Sequence, residues 1–227
     1  KTNSYKYLGV HLTSDLSWAT HISHTISSVN RSLGFLRRNL KLAPPHIKQL
    51  AYSSLIRPEL EYASAIWDPH QSYLINNIES VQRRALRFIY SDSSSFTSVT
   101  SLRTRANLPL LSERRRLARL SLFHKCFYSP CLGLSYIVLS VRRNRRTGHN
   151  LDVQRRKAKT TTFQNSFFSR TAFDWNGLSQ NMVTTDDSLE FKELIRVSCV
   201  FAYQYFWRFL FYFTCIICFC DIVPLFC

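Results

Sequence analysis

The sequence predicts a mainly α protein in which a short β-hairpin leads into a helical bundle. An irregular basic segment and a C-terminal hydrophobic helix follow. Three observations predict this. Apolar residues recur at the helical period over long stretches, Pro and Ser/Thr clusters punctuate those stretches, and an alternating aromatic ribbon stands at the N-terminus. With 227 residues, 45% apolar and 14% aromatic, the chain can bury one large or two small cores. Five glycines and seven prolines exclude a collagen-like or Gly-rich polymer.

Residues 5–12, Tyr-Lys-Tyr-Leu-Gly-Val-His-Leu, alternate apolar with small or polar residues and read as a strand with one glycine inside. In a single strand of period two, Lys6 and His11 face opposite ways. Thr13-Ser14-Asp15 then turns the chain. From Trp18, apolar residues recur at Ile22, Ile26, Val29, Leu33, Leu36 and Leu40, in steps of three and four. Ser14 or Ser17 can cap this helix, and Pro44-Pro45 end it.

Pro45 suits the first turn of a second helix carrying Ile47, Leu50, Ala51, Leu55 and Ile56, broken or kinked near Pro58. Leu60 to Trp67 follow before Pro69. A third helix from about His70 sets Leu74, Ile78, Val81, Ala85 and Phe88 or Ile89 on one face, with Arg83, Arg84 and Arg87 off it. Ser91 to Ser101 read as a loop or helix start. A fourth helix starts near Ser112, whose hydroxyl can cap it, with Leu117, Leu120 and Phe123 or His124 as its apolar stripe among Arg114, Arg115, Arg116 and Arg119. Residues 140–165 lose the period and look flexible; residues 166–195 regain order, with a short helix at 187–195. The expected divisions are therefore 1–16, 17–139, 140–165, 166–196 and 197–227.

Charge is concentrated. The whole chain carries +16, and the window 83–159 holds 18 basic and three acidic residues, or +15. Its clusters are Arg83-Arg84 with Arg87, Arg114-Arg115-Arg116 with Arg119, Arg142-Arg143-Asn144-Arg145-Arg146, and Arg155-Arg156-Lys157 with Lys159. Arginine grips phosphate with two parallel hydrogen bonds, so nucleic acid is the first expected partner and an acidic membrane surface the second. The histidines His21 and His24, three apart, and the tryptophans Trp18, Trp67 and Trp175 are read mainly as packing residues.

Seven cysteines form no disulfide framework by position, and the odd count points to reduced thiols inside a cell. Neither Cys215-x-x-Cys218-x-Cys220 nor His124-x-Cys126-x4-Cys131 supplies a convincing zinc set. Val197 to Cys220 holds one charge, Arg208, in 24 residues. Such a run is long enough to span a bilayer, and would place the protein at a membrane; the alternative is a tail unrelated to the body. The chain opens on Lys1 and its single methionine is Met182, so a longer parent polypeptide is expected.

Collinear motifs then carry a resemblance. Tyr7-Leu8-Gly9-Val10 precedes Leu16-x-Trp18 and His21-Ile22. Leu55-Ile56-Arg57-Pro58-x-Leu60-Glu61-Tyr62-Ala63 leads to Ile66-Trp67-Asp68-Pro69. Ile78-Glu79-x-Val81-Gln82-Arg83-Arg84-Ala85, Leu108-Pro109-x-Leu111 with Arg114-Arg115, and Trp175-Asn176-x-Leu178 with Phe191-Lys192 complete the series. Over about residues 5–195 this resembles the C-terminal part of reverse transcriptases of non-LTR (LINE-type) retrotransposons, from the end of the palm through the thumb. The resemblance implies a primer-grip hairpin at Tyr7, Leu8 and Gly9 and a thumb-like bundle packing across an RNA–DNA duplex. Upstream palm and fingers would be its partners, in nucleus or cytoplasm. It also implies that the catalytic carboxylates and their Mg2+ lie upstream, since no Tyr/Phe-Ala-Asp-Asp hairpin occurs here; no cofactor is expected in this chain, which should not polymerise alone. Asp186-Asp187 reads as a helix N-terminus, not a metal site. Glu61 and Glu79 read as ion-pair partners of Arg57 and Arg83.

Overall fold

In the computed structural model, which describes residues 3–92, 94, 96–129, 137–140 and 149–197, two short strands open the chain. β1 (Ser4–Tyr7) and β2 (Val10–Thr13) pair antiparallel, Tyr7 opposite Val10, around a two-residue turn at Leu8-Gly9. Both turn residues have positive φ, 45° and 83°, the requirement of the hairpin turn whose twist matches its strands. The single strand expected over 5–12 is thus a hairpin that reverses at Leu8-Gly9. Lys6 pairs with His11 across it, so the two share a face and do not oppose each other. A side chain on Gly9 would also sit 3.3 Å from the Tyr62 ring.

α1 (Ala19–Asn39) buries Ile22, Val29, Leu33 and Leu36, as its period predicts. The Ser17 hydroxyl accepts from the Ala19 N–H at 3.2 Å, and Asp15 accepts from the Ser17 N–H at 3.0 Å. α2 (Pro45–Ala51) starts on its proline, whose missing N–H would be unpaired there anyway. The expected break near Pro58 takes the form of a π-helical turn, Tyr52–Ile56, before α3 (Arg57–Glu61). A proline at 58 removes an N–H and crowds the carbonyl four residues back, and a widened turn accommodates both. The widening also shifts the phase. Lys48, Tyr52, Ile56 and Leu60 are buried at a spacing of four, whereas Ile47, Leu50 and Leu55 of the expected stripe face outward.

Ala63, at φ 51°, turns the chain into α4 (Ser64–Trp67). α5 (Ser72–Ile89), α6 (Val99–Arg105) and α7 (Leu111–Tyr128) complete the bundle. No side chain of its own caps α7. The carboxylate of Glu79, buried on α5, accepts from the Ser112 N–H at 2.8 Å and closes that end instead. So Glu79 serves a helix terminus and not the expected ion pair with Arg83.

Buried apolar residues form two clusters that divide along α7. Ile22 through Leu111 fill the first, whereas Leu120, Phe123 and Cys126 join Trp175, Phe191 and Ile195 in the second. Part of the stretch expected to be flexible is tied down. Leu139 bridges Val153, and the Asn176 side chain donates to the Val153 carbonyl at 2.9 Å and accepts from its N–H at 3.0 Å. α8 (Thr161–Gln164), α9 (Phe167–Asn176) and α10 (Gln180–Val183) follow, and residues 188–197 are helical. Trp67 and Trp175 are fully buried and Trp18 packs against the first cluster, consistent with their reading as core anchors. Among the described residues no helix is long and apolar enough to cross a membrane. The hydrophobic C-terminal helix expected after residue 197 lies outside them.

Candidate nucleic-acid interface

The four arginines of α7 do not form a surface comb. Arg115 and Arg119, 1% and 3% exposed, both direct their Nε at the Asp68 carboxylate, at 2.8 and 2.9 Å. Arg119 also donates to Asp174 at 2.8 Å and to Thr171 at 3.2 Å, and Arg170 reaches Asp68 at 3.2 Å. Arg114 grips Glu61 in a two-pronged pair, and Arg57 stands 3.9 Å from the same carboxylate. Arg116 alone of the four has an exposed side chain, 3.5 Å from Asp174. The expectation that Arg114, Arg115 and Arg119 meet phosphate is therefore corrected. Their charge is consumed by Glu61, Asp68 and Asp174, and for Arg115 and Arg119 burial removes them from any polyanion.

The arginines of α5 behave differently. The Arg84 guanidinium donates to Asn30 Oδ1 at 3.0 Å, and Arg37 of α1 donates to the Arg84 carbonyl at 3.1 Å. Arg83 donates to the Asn76 carbonyl at 3.4 Å and Arg87 to that of Ser94. Every acceptor is neutral, so these bonds orient the guanidinium groups without pairing them to an acid. Arg87 is in addition near enough to the Asp92 carboxylate, just past α5, to help the Thr97 hydroxyl lower its pKa. Together α1 and α5 carry Arg31, Arg37, Arg38, Arg83, Arg84 and Arg87 against one carboxylate, Glu79, which is buried at the α7 terminus. Glu59 meets α1 at Ser32, on a different flank from Arg37. The result is an arginine seam along the α1–α5 contact, extended by exposed Lys41.

Tyr7, Leu8 and Gly9 are not part of this seam. All three are exposed at the hairpin tip, where the Leu8 carbonyl accepts from the Tyr62 hydroxyl at 2.9 Å. The hairpin rests on α1 through histidines. His11 stacks on His24 at 4.3 Å, and the His11 N–H donates to His21 Nδ1 at 3.4 Å. His21 packs edge-on against Trp67 and is buried; burial, then the neighbouring His11 and His24, lower its pKa to about 4. At 3.6 residues per turn, Asn30 lies about two and a half turns beyond His21, so hairpin and seam occupy opposite flanks of α1. Arg37 is a further ten or so ångströms along it. One concave wall joining the two is not formed by the described residues.

Arg142, Arg143, Arg145 and Arg146 lie outside the described residues. Sequence reasoning missed Arg37, Arg38 and Lys41, although the Arg37-Arg38 pair closes a helix without a single carboxylate. It also missed Asp68 and Asp174 as partners of α7. Among the described residues no group of His, Cys, Asp or Glu is placed to hold a metal ion. No family model, curated protein or solved structure matches the chain.

Proposed function

We propose that this chain is the non-catalytic C-terminal portion of a LINE-type reverse transcriptase and holds a template–primer duplex through phosphate contacts. The resemblance over residues 5–195 supplies the class, and the arginine seam of α1 and α5 carries the reading physically. Six guanidinium groups stand there without an exposed carboxylate on either helix, and four of them, Arg37, Arg83, Arg84 and Arg87, are oriented by neutral acceptors. Such groups neutralise backbone phosphate without reading bases, which suits an enzyme that must hold any sequence it copies. Residues that would coordinate Mg2+ for polymerisation belong, on this reading, to the upstream palm.

The test is binding of the full chain to an RNA–DNA duplex between roughly 50 and 200 mM salt. Affinity should fall steeply, and the combined Arg37→Gln, Arg84→Gln and Arg87→Gln variant should lower the slope of log affinity against log salt by about three. Binding that is flat with salt, or a slope untouched by the triple variant, would overturn the reading.

A further inference from the structure

We infer that a second, separate site takes one unpaired base from a single strand: the cavity beside α8 and α9. This rests on reading the chain as a nucleic-acid binder and adds a ligand that the duplex seam does not require. The cavity measures about 110 Å³ and includes Phe163, Phe168, Ser166, Ser169, Arg155 and Arg156 in its lining. A single water needs roughly 10–15 Å³ on the same measure, so the space suits a flat ring with its substituents.

Three features point to a nucleotide within a strand. The walls are predominantly apolar and aromatic, and stacking on aromatic rings is how proteins hold bases without sequence preference. The rim is cationic, with Arg155 and Arg156 in the lining, and the sequence from Val153 to Phe173 contains no carboxylate. Residues 154–159, Gln-Arg-Arg-Lys-Ala-Lys, run exposed and without helix past this rim, as a track for a phosphate backbone would. The Ser166 hydroxyl, which donates to the Phe163 carbonyl at 2.7 Å, keeps its lone pairs for a base edge.

The start of the track is also held in place before any ligand arrives. Asn176 clasps both backbone groups of Val153, and the Gln154 N–H donates to the Val138 carbonyl at 2.7 Å. The Arg155 guanidinium lies 4.8 Å from the centre of the Phe173 ring. Preorganisation of this kind reduces the ordering lost on binding. A paired base cannot enter such a cavity without leaving its stack, so the ligand is single-stranded.

The experiment compares the full chain's affinity for a short oligouridylate with that for a ribose-phosphate strand of equal length lacking bases. A stacked base should favour the oligouridylate by roughly 5- to 150-fold. Phe163→Ala, at a half-exposed position, should erase most of that preference while leaving affinity for the abasic strand unchanged. Ser169→Phe, which adds a ring inside the cavity and removes no wall, should do the same. Arg155→Gln with Arg156→Gln should weaken both strands equally. Equal affinity of the unmodified chain for the two strands, or a preference that survives both cavity variants, overturns the inference. Because the readout is a ratio on single strands, it fails independently of the duplex salt slope. A chain that binds no nucleic acid would sink both readings.

Discussion

Arg115 and Arg84 stand in adjacent arginine clusters of one sequence, yet their removal should have opposite consequences. Arg115→Met deletes a guanidinium that is 1% exposed and bonded to the Asp68 carboxylate at 2.8 Å. Breaking a buried pair on one side costs about 3–5 kcal/mol. Two considerations favour the lower end of that range. Asp68 keeps Arg119 and Arg170, and the terminal nitrogens of Arg115 are buried without hydrogen-bond partners, so their loss relieves a penalty. For a chain of this size that loss is a fall of roughly 6–20 °C in Tm, read by far-ultraviolet circular dichroism or a urea melt. The salt slope of duplex binding should not move at a temperature where the variant remains folded. Arg84→Gln removes an exposed group bonded only to neutral partners and should change stability by less than about 0.5 kcal/mol. It should reduce the salt slope by about one. If Arg115→Met lowered the slope while the melt stayed within 1 kcal/mol, the division between structural and phosphate-facing arginines would be wrong.

Other perturbations follow from the same geometry. Glu79→Ala uncaps α7 and should cost about 1–2 kcal/mol in a urea melt, with Glu79→Gln recovering more than half; equal losses would deny the cap. Leu8 occupies the left-handed region at φ 45°, so Leu8→Asn should slow hydrogen exchange of the β1–β2 amides, whereas Gly9→Ala should hasten it. His21 ionises at about 4 in the fold against 6.5 in the open chain, so its neutral form is the stabilising one. Its contribution is complete above pH 6.5 and is lost as pH falls toward 4, on the order of 3 kcal/mol in total. The urea midpoint of His21→Asn should therefore fall less steeply over that interval than that of the unmodified chain, and parallel curves would refute the assignment.

How far the sequence could be read depended on whether the relevant contacts are local. Periodicity located α1, α5 and α7 because their buried faces repeat every three or four residues. It misjudged the stripe of α2 and α3, where the π turn before Pro58 alters the repeat, and it merged the two hairpin strands because Leu8 is an unusual residue for a left-handed turn. Charge was harder still. The basic excess of residues 83–159 was counted within its own window, but the carboxylates that spend α7's arginines lie outside it, at Glu61, Asp68 and Asp174. Only folding brings them within 3 Å or so, and no count along the chain can anticipate that.

The same pairing explains the motifs. Leu60-Glu61-Tyr62-Ala63 and Ile66-Trp67-Asp68-Pro69 carry the two acids that hold Arg114, Arg115 and Arg119, and the intervening Tyr62 carbonyl accepts from the Trp67 indole at 2.7 Å. Ile78-Glu79 supplies the cap of the helix bearing those arginines, and Trp175-Asn176 clasps residues 149–153 through Trp175 Nε1 to Leu151 and Asn176 to Val153. Motifs about fifty residues apart are thus two halves of single contacts. Residues of this kind fix an architecture and leave the phosphate-facing groups free to sit on neutral scaffolding elsewhere. That is why the strongest sequence signals mark the frame of this protein, while its candidate interface lies on Arg37, Arg38 and Arg84, which no motif singles out as a set.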